Sequence, residues 1–343
     1  MTELAVDTPL EAPRHRVGRR TIRLVDGARA GRTVEADLWY PAVPEATGRA
    51  SHYTIIPGVD VRSALAHQDA GAAPGRWPVV LFSHGRTGTR ISYSMLCEAL
   101  AARGTVVVSA DHPGDRLADW LSGTASDDRT NETDRVADAH LVLHTLLHGH
   151  PDLPVDLLNA VDANRVVAAG HSYGAYTALA AAAGARGVEA HERIRAVAVL
   201  QPYTRSLSDG ALGRVRVPTL LVVSEADETT PPSVDADRPW ALIPGRPLWR
   251  LDLAGAGHQA ASDIALYAEL AEHVPDLPPI VRQYLMAQAQ GSGGEGRDWR
   301  QLLAVQLEAL WAFLEVAAGG DREAGDASAG VLEVLPGVTL RRR

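Results

Sequence analysis

The sequence predicts an α/β domain in which a mostly parallel sheet carries helices on both faces. Three observations predict it. Apolar runs of strand length alternate with helical stretches from residue 78 onward. A Gly-x-Ser-x-Gly pattern stands between one such run and an Ala-rich helix. An aspartate and a histidine then follow later strands at their C-terminal ends, where open α/β sheets bind ligands. At 343 residues, 46% hydrophobic and 22% charged, the chain is an ordinary globular protein that one α/β domain with insertions can fill.

The elements read in order. Residues 1–20 form a polar leader. TIRLVD (21–26) and TVEADLWYP (33–41) flank a Gly-containing turn and predict an antiparallel hairpin. Residues 41–77 are rich in Ala, Gly and Pro without periodicity and read as a long connection or insertion. PVVLFSH (78–84) is the continuous apolar run of a buried parallel strand, and YSMLCEALAARG (93–104) has helical spacing with a closing glycine. TVVVSAD (105–111) is the next strand, followed by a helix over 133–148, a strand at 165–169 and the Ala-rich helix after Ser172. Further strands are expected at 196–200, 219–224 and 248–253. Helices over 262–274, 279–290 and 297–316 close the domain at about residue 320, the first two exceeding what the alternation needs, so that 264–296 is expected to form a lid. GSGGEG (291–296) reads as a local linker and 321–343 as a tail.

Composition removes whole classes of chemistry. The chain has no lysine, so all 33 basic residues are arginines; Schiff bases, P-loops and Ser–Lys dyads are excluded. Cys97 is the only cysteine, which excludes intrachain disulfides, cysteine-based zinc sites and iron–sulfur clusters. A net charge of −9 without an arginine-rich block argues against a nucleic-acid partner. No apolar run suits a signal peptide or a membrane span, so no membrane insertion and a cytoplasmic location are expected.

The chemistry centres on Gly170-His171-Ser172-Tyr173-Gly174. A sharp strand-to-helix turn would push Ser172 into an exposed, strained position, and only small flanking residues permit it. The plain alternative is a serine that merely caps a helix. A serine nucleophile needs a histidine base oriented by a carboxylate. Asp227, just beyond the strand at 219–224, and His258, in the Gly-rich loop after 248–253, supply them, with Glu225 a rival acid two residues away. Gly255 and Gly257 suggest a close backbone approach beside His258. Amide donors for a developing oxyanion are expected from Tyr173 and from Arg86 in the loop FSHGRTG, where Gly85 and Gly88 let the chain approach a substrate. Asp111, His112 and Asp115, after a strand end, are candidate pocket-border residues, with Asp111 and His112 candidate substrate contacts beside Gly85.

At these residues the sequence resembles a known family. From about Thr21 to Leu314 it is similar to the α/β-hydrolase superfamily, and LWYP, VVLFSHG, DHPG, GHSYGA and GAGH resemble the platelet-activating factor acetylhydrolase and dienelactone hydrolase-like branch. The resemblance implies a mostly parallel eight-stranded sheet with a lid or cap, and a serine esterase with Ser172, Asp227 and His258 as its triad. Bacterial polyester hydrolases are similar around the nucleophile and oxyanion loop, but this chain has long insertions and lacks the cysteines of their disulfides. True dienelactone hydrolases carry a cysteine where this chain has Ser172.

The expected reaction is hydrolysis of a small-molecule carboxylic ester (a short-chain acyl ester, a lactone or a phospholipid-like ester) through an acyl-serine intermediate, with no cofactor or metal. Acyl transfer or cyclisation by the same triad, and a non-catalytic binding protein on this scaffold, are the other readings. His140, His144 and His148 recur every four residues and read as a solvated polar face rather than a metal site. Cys97 reads as a small buried hydrophobe, and Trp240, Trp249, Trp299 and Trp311 as core or lid packing.

Overall fold

The computed structural model describes residues 14–45, 48–56, 59–275, 277–293 and 297–343. β1 (Arg16–Asp26) and β2 (Arg32–Ala42) form the expected hairpin, with Asp26 opposite Arg32. Next come β3 (Ala50–Ile56), β4 (Val59–Gln68), β5 (Trp77–Ser83), α1 (Ser94–Ala102), β6 (Val106–Ala110), α2 (Leu117–Leu121) and α3 (Asp128–His148). α4 (Val155–Ala160), β7 (Val161–His171), α5 (Tyr173–Ala183), β8 (Ile194–Leu200), α6 (Asp209–Leu212), β9 (Thr219–Ser224), α7 (Pro232–Asp235) and α8 (Asp237–Leu242) follow. The chain continues with β10 (Leu248–Leu253), α9 (Ile264–Glu272), α10 (Pro279–Ala289), α11 (Trp299–Ala317), α12 (Arg322–Glu333) and β11 (Val338–Arg342).

The strands join one sheet in the order β11-β10-β9-β8-β7-β5-β6-β2-β1-β4-β3. Its centre, from β10 to β6, is parallel throughout. Buried on both faces, these strands need apolar side chains at successive positions. Val79 and Leu81 of β5 and Val166 and Ala168 of β7 belong to a core shared with Val136 and Leu143 of α3 and Tyr176 and Leu179 of α5. Their neighbours Val80, Phe82, Val167 and Ala169 join Leu96 and Leu100 of α1 and Leu307, Leu310 and Phe313 of α11 on the opposite face. Each large apolar side chain so buried contributes about 1.5–3 kcal/mol.

The sheet departs from the sequence-based expectation at its edges. Among the described residues it has eleven strands rather than eight. The segment read as a long connection contains β3 and β4, and β4 pairs parallel to β1. The tail is also structured. Leu332 and Ala329 of α12 are buried, and β11 pairs antiparallel with β10, Val338 opposite Leu253. β1 starts inside the expected leader at Arg16, and Arg19 turns inward onto the fully buried Asp37, Nε to Oδ2 3.1 Å. Residues 1–13 of that leader and 294–296 of the expected linker lie outside the described residues.

The turning point in strand order sets the site. β5 has β6 on one side and β7 on the other, so the loops leaving β5 and β7 diverge from adjacent strand ends and open a crevice between them. Ser83 at the end of β5 pairs with Gly170 of β7. The oxyanion-loop candidate and the nucleophile candidate therefore start side by side.

Cys97 is buried, as are Trp249 and Trp311, while Trp240 and Trp299 are partly buried. The histidine face is split. His144 and His148 are exposed and stacked with ring centroids 4.1 Å apart, whereas His140 turns inward against His191. Burial holds the His140 imidazole down to about 4.

Candidate active site

Ser172 sits at the junction of β7 and α5 with φ 55° and ψ −120°, a left-handed conformation that a serine adopts only where its surroundings enforce it. A Cβ on Gly174 would overlap the carbonyl oxygen of Ser83, and one on Gly170 would overlap the carbonyl of Gly174, so the flanking glycines are what let the turn close. Ser172 occupies the N-cap position of α5 but makes no capping hydrogen bond. Its hydroxyl is directed elsewhere.

That hydroxyl meets His258 Nε2 at 2.9 Å, and His258 Nδ1 meets Asp227 Oδ2 at 2.8 Å. The acid and histidine loops are laced together, since the Ala226 amide donates to the Ala256 carbonyl at 2.9 Å. The approach expected from the glycines is present: Gly255 has φ 68°, and a Cβ on Gly257 would lie 2.6 Å from the Gly291 carbonyl oxygen. Asp227 is further held by the amides of Thr229 and Thr230, at 2.9 and 2.8 Å, and by the Thr230 hydroxyl at 2.7 Å. Burial alone would raise the Asp227 pKa, but the hydrogen bond and charge of His258, with those from Thr230, outweigh it and hold the carboxylate below its usual range. Glu225, the rival, is exposed, and the carboxylate on His258 Nδ1 is that of Asp227.

The opposite wall consists of backbone. In the loop after β5, the Gly85 amide donates to the Tyr93 hydroxyl at 3.3 Å, the Thr87 amide to the Asp115 carbonyl at 2.9 Å, and the Gly88 amide to the Gly85 carbonyl at 3.0 Å. Among the described residues, neither Arg86 nor Tyr173 donates its amide to a backbone carbonyl. These are the two donors expected for an oxyanion. The Arg86 side chain pairs with Asp128 at 2.6 Å and lies 4.6 Å from the Tyr173 ring centroid.

Two further residues here carried no separate signal in the sequence. His171 stands beside Ser172 within the motif and is buried; burial, reinforced by the charge of His258, holds its imidazole down to about 3. The neutral ring donates from Nε2 to the His258 carbonyl at 2.7 Å and accepts at Nδ1 from the Tyr93 hydroxyl at 2.7 Å. His171 and Tyr93 thus join the histidine loop to the Gly85 loop. Thr230 is the other, in a polar run that shows no pattern.

A cleft of about 380 Å³ opens over Ser172. Gly85 lines it, as do the hydroxyls and amides of Thr87, Thr89, Ser92, Gln259, Ser262 and Gln288. Asp111, His112 and Asp115 do not. Asp111 is buried beneath the loop, taking Arg90 Nη1 at 2.6 Å, and the equally buried His112 faces Asp138 at 3.2 Å. Both strand-end polar groups turn inward because arginines and an aspartate of neighbouring elements pair with them there. From the expected lid, Ile264, Tyr284 and Gln288 border the cleft, Leu266 and Leu285 are buried with Val59, and Ile280 is exposed.

The model of the family described as platelet-activating factor acetylhydrolase, isoform II, matches residues 58–137, a stretch that includes the oxyanion-loop candidate and ends before Ser172. No curated protein matches the chain. Among solved structures, a ferulic acid esterase from Streptomyces cinnamoneus is similar with a TM-score of 0.68 and 24% identity, over 91% of this chain and 93% of that one. The fold is that of the α/β-hydrolases. Together, the family match and the fold support a carboxylic-ester hydrolase. No helix among the described residues is long and apolar enough to cross a membrane.

Proposed function

We propose that the protein hydrolyses a small carboxylic ester through an acyl-serine intermediate. The reading rests above all on the unbroken relay from Asp227 through His258 to the Ser172 hydroxyl beneath the cleft. His258 Nε2 takes the hydroxyl proton as Ser172 Oγ bonds to the substrate carbonyl carbon, and the carbonyl oxygen gains negative charge between the Arg86 and Tyr173 amides. Collapse expels the alcohol, which leaves with the proton from His258. Water then repeats the sequence on the acyl-enzyme and releases the acid. Asp227 keeps the imidazole in the tautomer that accepts at Nε2 and stabilises its charged form.

The cleft mixes apolar and aromatic walls (Tyr93, Leu117, Ile264, Tyr284) with polar residues such as Thr87, Ser92 and Gln288, which suits a compact ester with an apolar or aromatic body and a hydrogen-bonding substituent. The likeness to a ferulic acid esterase makes a feruloyl ester one such candidate. Residues 264–296 act as a lid through Tyr284, whose replacement by alanine should shift the preference among acyl lengths severalfold; an unchanged preference would remove the segment from the acyl site.

The test is a panel of aryl esters of graded acyl length with a feruloyl ester, beside labelling by a serine-directed phosphonate. Turnover of short or polar esters and one label on Ser172 are expected. A folded protein that turns over no ester and takes no label at Ser172 would overturn the proposal.

A further inference from the structure

Arg135 lies in α3, is completely buried, and belongs to none of the groups that face the cleft. Its guanidinium is nevertheless fully engaged. Nε donates to Thr177 Oγ1 at 3.0 Å, Nη1 to Asp115 Oδ2 at 2.7 Å, and Nη2 to the His84 carbonyl. Its central carbon is 5.0 Å from the centroid of the Tyr173 ring.

These partners fall on both sides of the candidate oxyanion site. His84 immediately precedes the loop that presents the Arg86 amide. Asp115 holds that loop a second time, since its carbonyl accepts from the Thr87 amide at 2.9 Å. Thr177 is one helical turn beyond Tyr173 and donates to the Tyr173 carbonyl at 3.3 Å. One rigid fork therefore ties the β5 loop to the start of α5, the two pieces of backbone whose amides must converge on a single oxygen.

Stability is a poor explanation for such a group. A buried ion pair can often be exchanged for well-packed apolar side chains without loss. What a guanidinium offers that leucine or lysine cannot is five N–H donors on three nitrogens held in one fixed plane. We infer that Arg135 is a positioning residue for the oxyanion site, fixing the separation and direction of the Arg86 and Tyr173 amides without touching substrate. The inference rests on the esterase reading above, which assigns those amides their task.

The experiment compares an aryl ester with its thionoester, in which sulfur replaces the carbonyl oxygen. Sulfur accepts hydrogen bonds weakly, so the ester-to-thionoester ratio of kcat/KM reports on the amide pair, and damage elsewhere in the fold lowers both rates together. In Arg135→Gln, kcat on the ester should fall about 10²-fold, KM should stay within about threefold, and the ratio should fall at least about tenfold. Arg135→Lys should fail to restore the ratio because it lacks the fork. A folded Arg135→Gln enzyme with the wild-type ratio would overturn the inference. Should that variant not fold, Thr177→Val and Asp115→Ala each remove one partner of the fork; a severalfold fall in the ratio is expected in both, and wild-type ratios in both would overturn it. Wild-type protein inactive on every ester would instead sink the esterase reading, a separate outcome.

Discussion

On one side of the Ser172 hydroxyl stand His258 and Asp227, joined to it by two hydrogen bonds of 2.9 and 2.8 Å and held by loops laced to each other. On the other side stand two amides with no side-chain chemistry of their own, backed by Arg135, Asp115, Tyr93 and His171, most of them fully buried. The relay is held by its own two hydrogen bonds, by Thr229 and Thr230 on Asp227, and by His171 on the His258 carbonyl. The two amides expected to serve the oxyanion are backed by Arg135 and Asp115, which stand behind the cleft, and by Tyr93 and His171, which also line it. Side chains can find one another across flexible loops, whereas a peptide N–H points where its chain points, so aiming it means fixing the whole segment, and buried polar groups with exact partners can do that.

Perturbations on the two sides should therefore differ in kind. Ser172→Ala removes the atom both sides serve and should lower kcat by about 10⁶-fold in a folded protein; retention of a few per cent of activity would take Ser172 out of the scheme. Asp227→Asn strikes the relay alone and should cost about 10⁴-fold in kcat with little change in KM, while Glu225→Gln stays near wild type. The opposite outcome would transfer the acid to Glu225. Tyr93→Phe loosens the amide side: it leaves the Gly85 amide and His171 Nδ1 without the hydroxyl they share, and should cost about 1–3 kcal/mol of stability with a kcat loss of roughly tenfold. Denaturant titration beside kinetics would reveal a loss confined to stability, which would sever Tyr93 from the amide pair.

Glu98 lies outside both sides and supplies a control. Burial, only partly offset by hydrogen bonds from Tyr53 and Ser63, raises its carboxyl to about 7. A folded-state value above the unfolded one means that its contribution is fully present below about pH 4.5 and is lost as pH rises through about 7. Glu98→Gln should flatten that decline and gain on the order of 1–3 kcal/mol at pH 8, read from denaturation midpoints, with kcat unchanged. Asp263, raised by burial to about 7, leaves some pH dependence behind. A wild-type slope in Glu98→Gln would show that Glu98 is ionised in the folded protein.

The same contrast governs what could be read from the sequence. The central strands announce themselves as apolar runs because both their faces are buried, and Ser172, Asp227 and His258 stand out because few residue types do this chemistry and they follow strand ends. β3 and β4 do not announce themselves. His52 and Thr54 face solvent, and Ala- and Gly-rich neighbours mask the alternation. The first part of β1, residues 16–20, is obscured by arginines, one of which, Arg19, is buried only because Asp37 awaits it across the hairpin. Asp111 and His112 occupy the position expected of cleft residues, and nothing local reveals that Arg90 and Asp138 draw them inward. Arg135 is the extreme case: 37 residues from Ser172 and set in a polar helix, it resembles a surface charge until the helix is packed against α5.

A sheet this wide ends in two strands with open hydrogen-bonding edges, and an open edge invites a second molecule to add its own strand. The two edges are guarded differently. β3 breaks register against β4 near each end, between Ala50 and His52 and again between Thr54 and Ile56, so it offers no long flat ladder to copy. β11 keeps regular pairing with β10 but ends in exposed Arg341 and Arg342, whose like charges would repel those of an identical strand laid alongside. Irregularity at one margin and charge at the other both oppose runaway intermolecular pairing.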